Sequence, residues 1–177
     1  MSIEVEAKFP VKNISEVEEK VKEFAEFVID KVEEDIYFKS PVRDFAVTDE
    51  ALRVRKDVEG VVVTYKGAKL DSETKTREEV KARIDPGDYD KIIMILLKLG
   101  FEDFAVVKKR RKIYRYEDAV ICLDSLEIGD FIEIEVEGSD VEYGKRRIFE
   151  IASRLSIDKR ESIRKSYLEL ILEKTES

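Results

Sequence analysis

Apolar and polar residues alternate strictly over residues 3–9. Ile3, Val5, Ala7 and Phe9 fall on one side, and Glu4, Glu6 and Lys8 on the other. That is the two-residue period of a half-buried strand, and Pro10 is expected to end it. Ser15 with Glu18 three residues on reads as the capping box of a helix with an apolar stripe of Val17, Val21, Phe24 and Val28. Residues 32–39 predict a second strand, and Ser40–Glu50, with Pro41 inside it, a loop. Residues 51–57 and 61–66 predict a hairpin around Glu59-Gly60. A polar connection runs from Gly67 to about Thr74, and 75–84 alternate again as a strand. Asp85-Pro86-Gly87-Asp88 is a turn into a helix with Ile92, Ile93, Leu96 and Leu99 on its buried side, stopped by Gly100. Strands are expected at 104–116, 119–124 and 131–137. Asp140 should cap a third helix carrying Ile148, Ile151 and Leu155, and a last helix over 160–173 carries Ile163, Tyr167, Leu170 and Ile171.

This order of elements, with no linker, repeat or low-complexity stretch, predicts one α+β domain over 1–177, with helices outside a sheet of antiparallel strands. The 177 residues suffice for a single core. With 33 basic against 41 acidic residues the chain is net negative by 8, which argues against nucleic acid or an anionic membrane as partner. The longest apolar run, Ile92–Leu97, is too short to span a bilayer. No signal-peptide pattern is present, and Cys122 is the single cysteine, so a reducing cytoplasm is the expected location. The chain has no His, which excludes histidine bases, catalytic triads and His-ligated metals. Any metal must be a hard cation held by carboxylates. Abundant Lys, Glu and Arg with a single amide side chain, Asn13, is a thermophile-like composition.

The polar faces of the strands carry an organised set of charges. Arg53 and Arg55 share a face, as do Lys109 and Arg111; Lys75, Arg77, Glu79 and Lys81 share another, and Glu133, Glu135 and Glu137 a third. A thermophile sheet laced with surface ion pairs would mix the signs on each strand. Here two strands are basic and one is acidic. If the strands curl into a barrel with the apolar faces outward under the helices, the charged faces line a lumen in which bases outnumber acids. Such a lumen suits a triphosphate. Lys and Arg neutralise its oxygens, and carboxylates hold a Mg2+ or Mn2+ that bridges to them.

Glu4-Val5-Glu6-Ala7-Lys8 resembles the N-terminal ExExK signature of the CYTH proteins, the triphosphate tunnel metalloenzymes. An ordered series across nearly the whole chain strengthens the resemblance. It comprises Asp35-x-Tyr37-Phe38, Leu52-Arg53-x-Arg55, Thr64-Tyr65-Lys66-Gly67, Arg77-x-Glu79, Lys109-x-Arg111-x-x-Tyr114, Leu123-Asp124, Gly129-x-Phe131-x-Glu133-x-Glu135 and Ser166-Tyr167. It is most similar to the class IV adenylate cyclase-like branch. The resemblance implies a closed antiparallel β-tunnel of about eight strands. It implies metal ligation by Glu4, Glu6, Glu133 and Glu135, with Asp124 a further candidate, and triphosphate contacts from Lys8, Arg53, Arg55, Lys66, Arg77, Lys109 and Arg111. Glu4, Glu6 and Lys8 would be the catalytic triplet. Where the family often has a further Glu after Arg-x-Glu, this chain has Lys81, and no role carries over to Lys69 or Lys75. Tyr37, Phe38, Tyr114 and Tyr167 read as core, Cys122 as a small buried hydrophobe, and Asp118 as a turn residue.

Three activities fit this reading. The branch resemblance favours an adenylate cyclase-like enzyme converting ATP to cyclic AMP and pyrophosphate. A triphosphatase acting on tripolyphosphate, thiamine triphosphate or a nucleotide would use the same tunnel. A non-catalytic polyphosphate-binding module ranks last, because all four metal-site acids are retained. The sequence gives no handle on oligomeric state, and a homodimer is compatible with it.

Overall fold

The computed structural model of the chain describes residues 2–138 and 140–177, with only the backbone at Ser2. Eight strands close into an antiparallel barrel: β1 (Ser2–Val11), β2 (Glu26–Lys39), β3 (Ala51–Asp57), β4 (Gly60–Lys69), β5 (Arg77–Ile84), β6 (Glu102–Tyr116), β7 (Ala119–Leu126) and β8 (Gly129–Glu137). Their order around the barrel is β1-β5-β4-β3-β2-β6-β7-β8, and β8 closes on β1. The expected α+β tunnel is therefore present. Among the described residues no helix is long and apolar enough to cross a membrane.

The apolar strand faces point outward, and helices cover them. Val5, Ala7 and Phe9 of β1 join Ile132, Ile134 and Val136 of β8 beneath α4 (Val141–Arg154), whose Ile148, Ile151 and Ala152 are buried against them. Val21 of α1 (Ile14–Lys22) completes that core. On the opposite side α3 (Tyr89–Lys98) lays Ile92, Ile93 and Leu96 over Phe38, Val54 and Val61. Each fully buried aliphatic or aromatic side chain here contributes about 1.5–3 kcal/mol, so the two outer layers hold the barrel closed. A short helix, α2 (Phe45–Thr48), and a C-terminal helix, α5 (Tyr167–Glu176), lie at the barrel's end.

Several boundaries differ from the sequence reading, each for a local physical reason. Pro10 does not end β1, which continues to Val11 in register with Asp130. By that point β1 has no β5 neighbour, so the missing N–H breaks no ladder bond on that side. Asn13, rather than Ser15, caps α1 by accepting from the Glu16 amide, and Glu18 turns to Lys112 and the Tyr114 hydroxyl. The capping box in the chain is Ser166 with Glu169, so the last helix starts at Tyr167 rather than 160. β2 begins at Glu26, which places Val28 on an exposed strand position instead of the α1 stripe. β5 begins at Arg77, leaving Lys75 outside the ladder.

α4 approaches β1 closely at Gly144, where an added Cβ would lie 2.9 Å from the Val5 Cβ. Gly144→Ala should overpack this junction and cost about 1–3 kcal/mol, read as a lower urea midpoint at unchanged m-value. Unchanged stability would show that α4 does not need this close approach.

Candidate active site

With apolar strand faces packed under the helices, the opposite, charged faces turn into the lumen. The strand register brings these faces side by side. Lys8 pairs with Glu133, and Glu6 with Glu135, across β1 and β8; Arg55 pairs with Asp35, Arg53 with Thr64, Lys66 with Glu79, and Arg111 with Asp124. The lumen is a cavity of about 770 Å³. Its walls carry Glu4, Glu6, Glu133 and Glu135 together with Arg53, Arg55, Lys66, Arg77, Lys109 and Arg111. Ten of the twelve residues expected at the site therefore share one cavity. Lys8 and Asp124 stand behind its wall.

Two acids complete the basic side: Glu33, which no motif marked, and Asp35, which stands in the motif series without an assigned role. Glu33 and Asp35, each 1% exposed, point inward from β2. Asp35 accepts a two-pronged pair of hydrogen bonds from Arg55 at 2.7 and 2.8 Å. Lys109 sits between them, 3.1 Å from Glu33 and 3.2 Å from Asp35. Burial pushes both carboxyls up, but the surrounding cations win. Arg111, Lys109 and Arg55 hold Glu33 well below the carboxylate range, and Lys109 with the Arg55 bonds does the same for Asp35. The two acids bring the lumen's charges closer to balance than Arg53, Arg55, Lys109 and Arg111 alone suggest. Arg53 lines the cavity, and its buried Nε has no hydrogen-bond partner among the described residues, a polar group left unsatisfied at a cost.

The acidic side is crowded with like charges. Glu6 and Glu135 are direct cross-strand partners, an arrangement that is unfavourable unless a cation intervenes. Burial, then the charges of Glu4 and Glu6, push the Glu135 carboxyl up to about 8. Burial and Glu79 raise Glu4, although Lys81 opposes them through an ion pair. Lys75 bridges the other two acids, 2.6 Å from Glu6 and 2.9 Å from Glu133. Lys81, standing where the family often has an acid, also lies 3.2 Å from Glu79, and Glu79 pairs with Lys66. Among the described residues no three acids are drawn to ligating distance of one point, and these ammonium groups stand between them. Hard oxygen donors short of positive charge nevertheless form the donor set a Mg2+ or Mn2+ requires, so the residues fit such an ion.

Lys8 and Asp124 have structural partners. Lys8 is fully buried; its ammonium donates to the Lys165 carbonyl at 3.0 Å and lies 3.5 Å from the centre of the Tyr167 ring. Both oxygens of Asp124 are taken by Arg111 at 2.6 Å, and the Tyr167 hydroxyl donates to the second at 2.6 Å. Tyr167 is core, as its apolar stripe implies, but it also lines the cavity and ties α5 to the tunnel. The short helix α2 and α5 give the mouth an apolar rim: Pro41, Phe45, Ala46, Phe104, Leu168 and Leu172. No sequence motif marked that rim, because its members come from three separate segments.

Glu33 and Asp35 titrate lower in the folded chain than in the unfolded one. Their contribution to stability is complete above the ordinary carboxylate range near pH 4 and drains away as the pH falls below it. Asp35→Asn removes the two-pronged partner of Arg55 and leaves it with Glu33 at 3.1 Å, which should cost about 1–3 kcal/mol at neutral pH. The variant should also lose stability less steeply than wild type on acidification. Urea unfolding across a pH series checks both, and parallel curves for the two proteins would refute the assignment.

Comparison with known proteins agrees with this geometry. The CYTH domain model matches residues 2–167. A Methanocaldococcus jannaschii protein, named "Putative adenylate cyclase MJ0240", is 42% identical over 95% of this chain and 98% of its own. The solved structure of the PH1819 protein from Pyrococcus horikoshii superposes with a TM-score of 0.88 at 40% identity, covering 97% of this chain and 99% of that one. HpAC1 of Hippeastrum, described as a putative adenylyl cyclase with a dominant triphosphatase activity, shares the fold at TM-score 0.67 and 20% identity over 89% of each chain. A closed eight-strand tunnel lined by ExExK acids and opposing arginines, matched along nearly its whole length, places this chain in the CYTH family.

Proposed function

We propose that the tunnel is the active site of a metal-dependent adenylate cyclase-like enzyme that converts ATP to cyclic AMP and pyrophosphate. The observation that supports it is one cavity whose lining brings Arg53, Arg55, Lys66, Arg77, Lys109 and Arg111 together with Glu4, Glu6, Glu133 and Glu135. The bases neutralise the polyphosphate and hold the pyrophosphate as it leaves. Arg55 and Arg111 are fixed by the two-pronged grip of Asp35 and Asp124, which sets the geometry before substrate arrives. Mg2+ or Mn2+ held by Glu4, Glu6, Glu133 and Glu135 would offset charge at the attacked phosphorus and ease loss of the hydroxyl proton. Asp124, with its oxygens committed, serves as the arginine's anchor unless Arg111 lets go. Lys8 supports the site from behind through Tyr167 and meets phosphate only if that segment moves. The ribose 3′-oxygen then bonds to the α-phosphorus as the bond to the pyrophosphate oxygen breaks.

The apolar rim favours a substrate with a base over bare tripolyphosphate. Phe45 and Phe104 line the cavity beside the charged lumen with Arg43 and Lys39 over their rings, and a nucleobase can take the place of those cations and stack. Triphosphate hydrolysis is the second reading. The same bases and acids serve a water nucleophile, and the Hippeastrum protein demonstrates that this fold carries that chemistry under a cyclase name.

Incubating the pure protein with ATP, and separately with tripolyphosphate, in Mg2+ or Mn2+ and resolving the products decides between them. Cyclic AMP with pyrophosphate is expected, and Glu6→Gln should reduce turnover to background without changing the fold. Orthophosphate with no cyclic product would replace the cyclase reading by the hydrolase. Tight metal-independent binding without turnover would indicate a binding module. Phe45→Ala should raise KM for ATP roughly five- to a hundredfold, the loss of one base-stacking contact, and leave KM for tripolyphosphate unchanged. An equal effect on both would remove the base from this rim.

A further inference from the structure

Lys75 belongs to no motif that the resemblance carries, yet it occupies the centre of the acidic side. It lies two residues before β5 begins, beyond the short stretch where β1 pairs with β5 at Ser2–Glu4. Its backbone is fixed. The Lys75 amide donates to the Glu6 carbonyl at 2.9 Å, and the flanking Thr74 and Thr76 are fully buried with their hydroxyls 2.6 Å apart. Asp71 accepts from the Thr74 amide and hydroxyl, and Arg164 donates to the carbonyls of Asp71 and Thr74. Its side chain faces the cavity. Its ammonium spans two strands, 2.6 Å from Glu6 on β1 and 2.9 Å from Glu133 on β8. Glu133's other oxygen accepts from Arg111 at 2.9 Å.

We propose that Lys75 is an internal counter-ion that a divalent cation displaces from Glu6 and Glu133, its freed ammonium then turning to the polyphosphate. The inference rests on the metal-assisted reading of the tunnel. A lysine holds a carboxylate by single-point contacts on a flexible stem, so it yields to a doubly charged ion and finds a new partner among phosphate oxygens. An arginine fork at the same position would lock the acids as Arg55 locks Asp35. Lysine and metal compete for the same two carboxylates, so the metal is held weakly until the triphosphate draws the ammonium away. Metal and triphosphate binding therefore reinforce each other.

The test is direct binding of Mn2+ to the full chain without nucleotide, followed by the electron paramagnetic resonance signal of free ion, for wild type and for Lys75→Met. The variant should bind Mn2+ roughly tenfold more tightly, within the usual range for coupled sites. Saturating Mn2+ should also raise its melting temperature more than that of wild type. If Lys75→Met does not fold, Lys75→Gln, which keeps a donor toward both acids, should shift affinity in the same direction. Equal or weaker Mn2+ binding in the folded variant overturns the counter-ion role while leaving the metal site intact. Absence of Mn2+ binding in both proteins, with and without tripolyphosphate, overturns the metal-assisted reading and the proposal together.

Discussion

The structure depends on one constraint: the strand faces that pack under α1, α3 and α4 are apolar, so the charged faces opposite them turn inward. Val5, Ala7 and Phe9 are fully or almost fully buried under α4. That burial fixes Glu4 and Glu6 inside the barrel as firmly as any direct contact, because a one-residue slip would exchange the two faces. Gly144 shows how closely this is set, since α4 approaches β1 too tightly for a methyl group. A closed lumen holding so many ionised groups is tolerable only if they neutralise one another. The cross-strand register supplies the pairs: Asp35 with Arg55, Asp124 with Arg111, Glu79 with Lys66.

Seen this way, the ion pairs are not simply a stability device. Removing water from a lysine or carboxylate costs more than a single pair returns, and hydrophobic residues would fill the space better. What the charges provide is a cavity whose internal partners are exchangeable for a ligand's. A polyanion can take over the role of the carboxylates toward the bases, and a hard cation can take over the role of the ammonium groups toward the acids. Arg53 Nε, buried without a partner, and the raised Glu135 mark where that exchange remains incomplete in the chain by itself.

Much of this was legible in the sequence, and the exceptions have physical causes. Strict alternation exposed Glu4, Glu6 and Lys8, the paired arginines, and the late glutamates, because each polar face there is interrupted by unmistakably apolar residues. Glu33 was hidden, and Asp35 had a place in the motif series but no role, because Glu33-Glu34-Asp35 is an unbroken acidic run, in which alternation cannot say which residues point inward. The early start of β2 at Glu26 concealed the strand's phase further. Lys8 illustrates the converse. Its face was read correctly, but whether an inward residue meets the cavity or backs onto another element depends on where the C-terminal segment returns. Here Ile163 bridges to Lys8 and the Lys165 carbonyl accepts a hydrogen bond from the Lys8 ammonium, which no local pattern reports. The apolar rim was invisible for the same reason, being assembled from α2, α5 and the start of β6.

The division of labour between arginine and lysine follows from their chemistry. Arg55 and Arg111 are each engaged by both oxygens of one buried aspartate, a fork-to-fork geometry that leaves a fixed direction for the remaining donors. Lys66, Lys75 and Lys81 instead touch glutamates at single points, and each glutamate has its own flexible stem. The two-pronged pairs use the shorter acid and the planar cation, and these single-point pairs use the longer acid and the compact one. Lys109 between Glu33 and Asp35, and Arg111 against Glu133, join the two sets. A tunnel that must hold a polyanion in register and still rearrange its acids needs both kinds. The arginines stand on the wall where position matters most, and the lysines stand where charge has to be handed from one partner to another.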